Sequence, residues 1–194
     1  MDDSELFAAW QGGDAQAGNE LFERHFDGLY RFFRGKVDDG AEDLVQKTLL
    51  ACVRGRAYRG DGTFRAYLYA VARNALYDAL RAKRRHERLD FGEVSLEDLG
   101  TSPTGWLARR EEQQLLHMAL RRIPVDLQIA LELFYFEDLS AAEVAQVLDV
   151  PEGTVRSRVR RGLAQLRAAV RRLRVAQALI DSTLSRLSRL TEKS

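Results

Sequence analysis

Apolar positions recur at intervals of three and four along almost the whole chain, and no convincing two-residue alternation of a half-buried strand occurs. The pattern predicts an all-α fold. Leu6, Phe7 and Trp10 open a short helix that ends near Gly12-Gly13. Leu21, Phe22, Phe26, Leu29, Tyr30 and Phe33 form an aromatic-rich face on a second helix, read as core. A third runs from Glu42 to Val53 with Leu44, Val45 and Leu49 on one side. After a loop from Gly55 to Gly62, a fourth extends from Phe64 to Arg85 and ends in the basic run Arg81-Ala82-Lys83-Arg84-Arg85. The periodicity fades over 86–105, where Gly92, Gly100, Ser102-Pro103 and Gly105 predict a flexible linker. It resumes near Trp106, breaks at Pro124 after Ile123, and continues through Leu131 and Phe134. Two small helical domains, 1–85 and 106–172, therefore flank the linker.

The sharpest local pattern lies between Ser140 and Gly162. Ser140 with Glu143 three residues later is a capping box, and Val144, Val147 and Leu148 give the helix that follows an apolar face. Asp149 and Val150 form a turn, and Pro151 is expected in the first turn of the next helix. There Val155, Val159, Leu163 and Leu166 face inward, while Arg156, Ser157, Arg160 and Arg161 fall on the other side. Two short helices with an arginine-bearing second member predict a helix-turn-helix. Its outer face can hold phosphates and read guanine edges in the major groove.

Bulk properties narrow the class. Of the 194 residues 45% are hydrophobic and 30% charged, as in a folded soluble protein. No apolar run reaches the length of a membrane span, and the acidic Met1-Asp2-Asp3 start is unlike a signal peptide. The single Cys52 is expected to fill a buried space, and one cysteine with three scattered histidines makes no metal pattern. No cofactor or metal is expected, and a cytoplasmic, nucleoid-associated location is. The net charge of +1 conceals segregation: −6 over 1–50, +6 over 51–90, −1 over 91–110, −6 over 111–150 and +8 over 151–194. Two acidic-then-basic units lie in series, each basic half suited to a polyanion while its acidic half turns elsewhere.

Two blocks, in this order, carry a family resemblance. One is AEDLVQKTLL, Ala41 to Leu50, followed by YRGDGTFRAYLYAVARNALYDALRAKRR, Tyr58 to Arg85. The other is IPVDLQIALELFYFEDLSAAEVAQVLDVPEGTVRSRVRRGLAQLR, Ile123 to Arg167. The chain resembles the RNA polymerase sigma factors of the extracytoplasmic-function group, which have sigma regions 2 and 4 joined by a linker. The resemblance implies a transcription initiation factor, without catalysis of its own. It would bind the clamp and flap of core RNA polymerase and engage promoter DNA, with an anti-sigma factor as a candidate further partner.

Residue by residue, the resemblance implies that Asp43, Leu44 and Gln46 dock on polymerase. Asn74, whose amide offers donor and acceptor to a flipped base, serves the downstream minus-ten element with Arg73 and Asp78 nearby, and Arg81, Lys83, Arg84 and Arg85 suit phosphate contact. Arg156, Ser157, Arg160 and Arg161, with Thr154 as a phosphate contact, would engage the upstream minus-thirty-five element, and Arg160 would tune sequence preference. Glu132 and Glu137 would face either polymerase or water, and water is expected for either one singly. Tyr67 stands where the family usually has Trp. Beyond Arg172 the resemblance stops, yet Leu173, Ile180, Leu184 and Leu187 keep the three-four spacing with Leu163, Leu166 and Val170, broken only at Gln177. This predicts an amphipathic extension over 173–194, either a regulatory or docking element or a helix packed back on the second unit.

Two other classes fit parts of the pattern. An operator-binding helix-turn-helix dimer would use the terminal apolar seam as its interface, but leaves Asp43, Gln46 and Asn74 unexplained. A nucleic-acid enzyme would need clustered carboxylates, a nucleophile beside a base or a phosphate-binding loop, and no such pattern stands out.

Overall fold

The computed structural model describes residues 1–54, 62–84, 87–101, 111–173 and 177–191. Among them are nine α-helices: α1 (Asp3–Gln11), α2 (Ala15–Arg34), α3 (Ala41–Arg54), α4 (Phe64–Lys83), α5 (Glu111–Leu120), α6 (Val125–Tyr135), α7 (Ala141–Leu148), α8 (Glu152–Arg172) and α9 (Gln177–Thr191). The all-α expectation holds; among the described residues the only β feature is an isolated bridge between Ser95 and Pro124. The loop 55–61, Arg85 and His86 of the basic run and linker, and 102–110, where the second unit was expected to start, lie outside the described residues.

Local chemistry sets most boundaries. Asp2 and Glu5 form a capping box on α1, Asp14 caps α2, and Thr63 caps α4 by accepting from the Ala66 amide. The Ser140–Glu143 box on α7 forms as read from the sequence. Asp149 then ends α7 in the left-handed region at φ 54°, a conformation Asp tolerates. Pro151 sits one step earlier than expected, as the N-cap of α8 rather than within its first turn.

The first unit packs α1–α4 around fully buried Phe7, Leu21, Leu29, Phe33, Val45 and Leu68. Cys52 is wholly buried there, and burial pushes its thiol up to about 12, far from a reactive thiolate. Tyr67, in place of the family's Trp, is half-buried beside Phe7 and Phe64, and its hydroxyl donates to the Cys52 carbonyl at 3.4 Å. The second unit packs α5–α9 around Leu115, Leu127, Ile129, Val144, Val147 and Val155. α8 crosses α6 closely at Gly162, where a Cβ would lie 3.1 Å from Leu131 Cγ, so a larger residue there requires the Leu131 side chain to give way.

One expectation changes, and one pair of alternatives is decided. The described part of the linker, 87–101, is packed rather than free, with Phe91, Leu96 and Leu99 buried. Its backbone pairs with the α5–α6 turn: the Phe91 and Val94 carbonyls accept from the Asp126 and Val125 amides at 2.9 and 3.0 Å. These contacts follow from apolar residues that the glycine-rich spacing obscured. The terminal extension does not prolong α8. The chain turns at Leu173, and α9 packs back on α5 and α8 with Ile180, Thr183 and Leu187 buried; residues 174–176 and 192–194 lie outside the described set.

Candidate nucleic-acid interface

The helix-turn-helix presents the predicted face. Val155, Val159, Leu163 and Leu166 are buried, and Arg156, Ser157, Arg160 and Arg161 are exposed. Arg156 pairs with Glu152 one turn back at 2.6 Å but keeps 75% of its side-chain exposure, so the pair is a weak solvent-screened contact that leaves the guanidinium available. Ser157 donates to the Thr154 carbonyl at 2.8 Å, and Thr154 is half-buried. Arg158, which the sequence reading passed over, turns to the flank and pairs with Asp126 on α6 at 3.4 Å.

On α4, Asn74 is exposed, and its side-chain oxygen accepts from Arg73 at 2.9 and 3.2 Å. That leaves the amide nitrogen as a donor toward solvent. Asp78 is exposed and pairs with Arg81 at 3.4 Å. The basic run is not a row of open cations. Lys83 donates to Asp38 at 2.6 Å and to the Gly100 carbonyl at 3.0 Å, and Arg84 donates to Glu87 at 2.8 Å and to the Asp98 carbonyl at 3.1 Å. Both tie the linker down. Arg85 lies outside the described residues.

On α3, Asp43 and Gln46 are exposed, and Leu44 is buried at 9%. Leu44 therefore anchors α3 in the core, a correction to its placement on a docking surface. Leu50 stands one further turn along the Asp43–Gln46 face and is 51% exposed, the apolar surface that Leu44 does not supply.

The residues that the sequence reading placed least well join the two units. Glu137 and Glu132 do not face water. Glu137, 7% exposed, accepts from Tyr69 at 2.6 Å, Arg65 at 3.1 Å and Arg31 at 3.3 Å. Burial, then the Glu137 charge, raises the Tyr69 hydroxyl well above its ordinary range, so it remains a proton donor. The approach is possible because Gly28 on α2 has no side chain: a Cβ there would meet the Tyr69 oxygen at 2.8 Å and Glu137 at 3.2 Å. Lys36, 1% exposed, bonds Glu132 and the Phe32 carbonyl and lies over the Phe32 ring at 4.3 Å. Thr63 donates to Glu143 at 2.6 Å. Burial alone would raise the Glu143 carboxyl, but hydrogen bonds from Thr63 and Ser140, with Arg65 nearby, outweigh it and hold the group below its usual range. Tyr77 donates to Asp126, so this one carboxylate links α4 to Arg158 of α8.

The charge segregation thus resolves differently from the expectation: acidic groups of 111–150 face the basic and phenolic face of α4. His117 on α5 faces Gly35 at the end of α2. Burial pushes its ring down to about 4, with Arg121, Lys36 and Arg34 adding to the shift. Among the described residues no cluster of metal-ligating side chains occurs, and no helix is long and apolar enough to cross a membrane.

This architecture has relatives. The Sigma-70 region 2 family matches residues 21–86, and Sigma-70, region 4 matches 113–166. The ECF RNA polymerase sigma factor SigM of Mycobacterium tuberculosis is 33% identical over 167 residues, covering 84% of this chain and 82% of that one. The RNA polymerase sigma-H factor of Pseudomonas aeruginosa is 31% identical, over 81% and 88%. Among solved structures, CnrH in complex with the cytosolic domain of CnrY superposes with a TM-score of 0.62 at 22% identity, over 86% of this chain and 95% of that one. RpoE bound to the anti-sigma factor NepR from Bartonella quintana gives 0.60 at 22%, over 80% and 98%. Two helical units carrying regions 2 and 4 define a DNA-binding sigma factor of transcription initiation. The chain belongs to the ECF RNA polymerase sigma factors.

Proposed function

We propose that this sigma factor recruits core RNA polymerase to promoters through two separated elements, with α8 reading the upstream minus-thirty-five element and α4 engaging the downstream minus-ten element. The observation that carries the reading is the exposed quartet Arg156, Ser157, Arg160 and Arg161 on a helix whose other face is wholly spent on the core. Arg156 and Arg160 are one turn apart and can reach adjacent base edges, with Thr154 toward the backbone. Asn74 offers its amide to a base extruded from the downstream element, and Arg73 orients that amide. Asp43 and Gln46 with Leu50 form the polymerase-docking face of α3. Tethering both contacts to one polymerase makes the second intramolecular, so two modest sites yield spacing-dependent recognition. The factor works on the nucleoid, carries no catalytic step of its own, and is held in check by an anti-sigma factor; the partners seen with CnrH and RpoE support that last element.

Run-off transcription with purified core polymerase on a promoter library tests the reading. Enrichment of two spaced motifs, lost with Arg156→Ala upstream and Asn74→Ala downstream, is expected; specific duplex binding without polymerase and no polymerase-dependent transcription would sink it. The operator-dimer alternative needs an open terminal seam, which α9 instead spends on α5 and α8.

A further inference from the structure

A cavity of about 690 Å³ opens where α2, α5, α6 and α9 meet. That lies within the ~300–1,000 Å³ usual for small-molecule sites. The Sigma-70, region 4 match ends at residue 166, so the wall that α9 supplies with Leu187 and Leu190 lies beyond both matched regions. Opposite it, α2 gives Phe32 and Arg34, and α5 gives Leu116 and His117. Phe32 and Leu187 are buried, while Phe136 lines the cavity with 49% of its surface exposed. These leucine side chains and rings make an apolar wall, which gains by covering from water.

The charged groups around the cavity sort by sign. Each lining carboxylate has a cation against it. Glu132 has Lys36, Glu137 has Arg31 and Arg65, and Glu112 has Arg186 at 4.0 Å. Carbonyls at the end of α2, which would repel an anion, are engaged too: Phe32 accepts from Lys36, and Gly35 accepts from Arg121 at 3.3 Å. A Cβ on Gly35 would lie 2.9 Å from His117 Cε1, so the ring sits against the end of α2, next to Arg34 in the chain. Burial, then Arg121, Lys36 and Arg34, push that ring down to about 4. The ring is therefore neutral, and three cations converge on this wall.

We infer that this cavity binds an amphipathic monocarboxylate, its apolar body between Phe32, Leu116, Leu187 and Leu190 and its carboxylate beside Arg34 at the His117 wall. One negative charge answers the converging cations, and Glu132 and Glu137 disfavour a second. Asp43, Asn74 and Arg156 are not among the described lining residues, so the site is separate from the promoter-binding reading and goes beyond it.

The full-length chain, without polymerase or DNA, is titrated by calorimetry with decanoate and with 1-naphthoate, both below micellar concentration. Saturable binding of either supports the inference and tells an alkyl from an aryl ligand; saturable binding of neither overturns it. The alcohol and the ammonium ion of the same skeleton should bind about tenfold more weakly, since a hydrogen bond to a charged group is lost. Equal affinity for all three overturns the inference. Arg34→Gln should weaken the carboxylate by about tenfold and leave the alcohol unchanged; a folded variant, by its helical circular dichroism, that binds the carboxylate as the parent does also overturns it. A second measurement needs no variant. In the leucine-methyl NMR spectrum of the parent, saturating ligand should move the signals of Leu116, Leu187 and Leu190 and leave those of Leu6 and Leu68 in place. Shifts confined to other leucines would overturn the assignment. Neither assay contains polymerase or promoter, so failure of the promoter-directing role would leave both results standing.

Discussion

Two arginine-rich faces, on α8 and on α4, have opposite fates in the same molecule. On α8 the arginines point to solvent with weak local partners, as in the Arg156–Glu152 pair. On α4 the guanidinium and phenol groups are engaged by Glu137, Asp126 and Phe91. Similar residue types are thus ready for a partner in one place and satisfied within the chain in the other. Basic composition identifies a candidate surface; only the neighbouring element says whether that surface is open. If α8 reads duplex DNA as proposed, it needs no rearrangement, whereas the α4 face is covered by groups of the second unit and the linker.

The comparison can be broken most strongly at Lys36. Lys36→Ala removes the cation from Glu132 and leaves its carboxylate, which also accepts from the Gln128 amide, without a counter-charge between the units. A loss of about 3–5 kcal/mol is expected in urea unfolding, while the same change in the exposed Arg156 should cost under about 0.5 kcal/mol. Comparable losses would mean that the covered face is no more integral than the open one. Next in size, Gly28→Ala places a methyl against Tyr69 and Glu137 and should destabilise by about 1–3 kcal/mol in the same urea titration. Arg156→Ala should weaken upstream-element binding by about 1–3 kcal/mol if its contact is bidentate, leaving strand binding by α4 unchanged. Parallel losses in both assays would collapse the distinction between the faces.

The smallest effect is with pH. Because the closed structure favours neutral His117, with its ring held near 4 against an ordinary 6.5, the stabilisation is fully present above pH 6.5 and fades as pH falls toward 4. The ring is partly exposed, so roughly 1–2 kcal/mol is at stake. His117→Gln should flatten that part of the stability profile, and an unaltered profile would remove His117 from the interface argument.

The open face was legible because it is local. Val155, Val159, Leu163 and Leu166 define a buried side by spacing alone, so Arg156, Ser157, Arg160 and Arg161 had to lie opposite. The covered face had a signal too, the four-residue recurrence from Arg65 to Arg81, but its partners lie far along the chain: Glu137 is 72 residues from Arg65, and Asp126 is 49 from Tyr77. No periodicity links them. Leu44 shows a related limit: a motif match assigned it to a surface, and packing against the core took it off that surface.

The sequence by itself determined the helical class, the capped α7 and the inward and outward sides of α8. All of these follow from backbone hydrogen bonding and side-chain period within one or two turns. Only the tertiary structure decided that the linker packs, that α9 turns back, and that Glu132 and Glu137 face the first unit. Those outcomes depend on which distant surfaces exclude water together, where a buried carboxylate must find a donor wherever the fold supplies one.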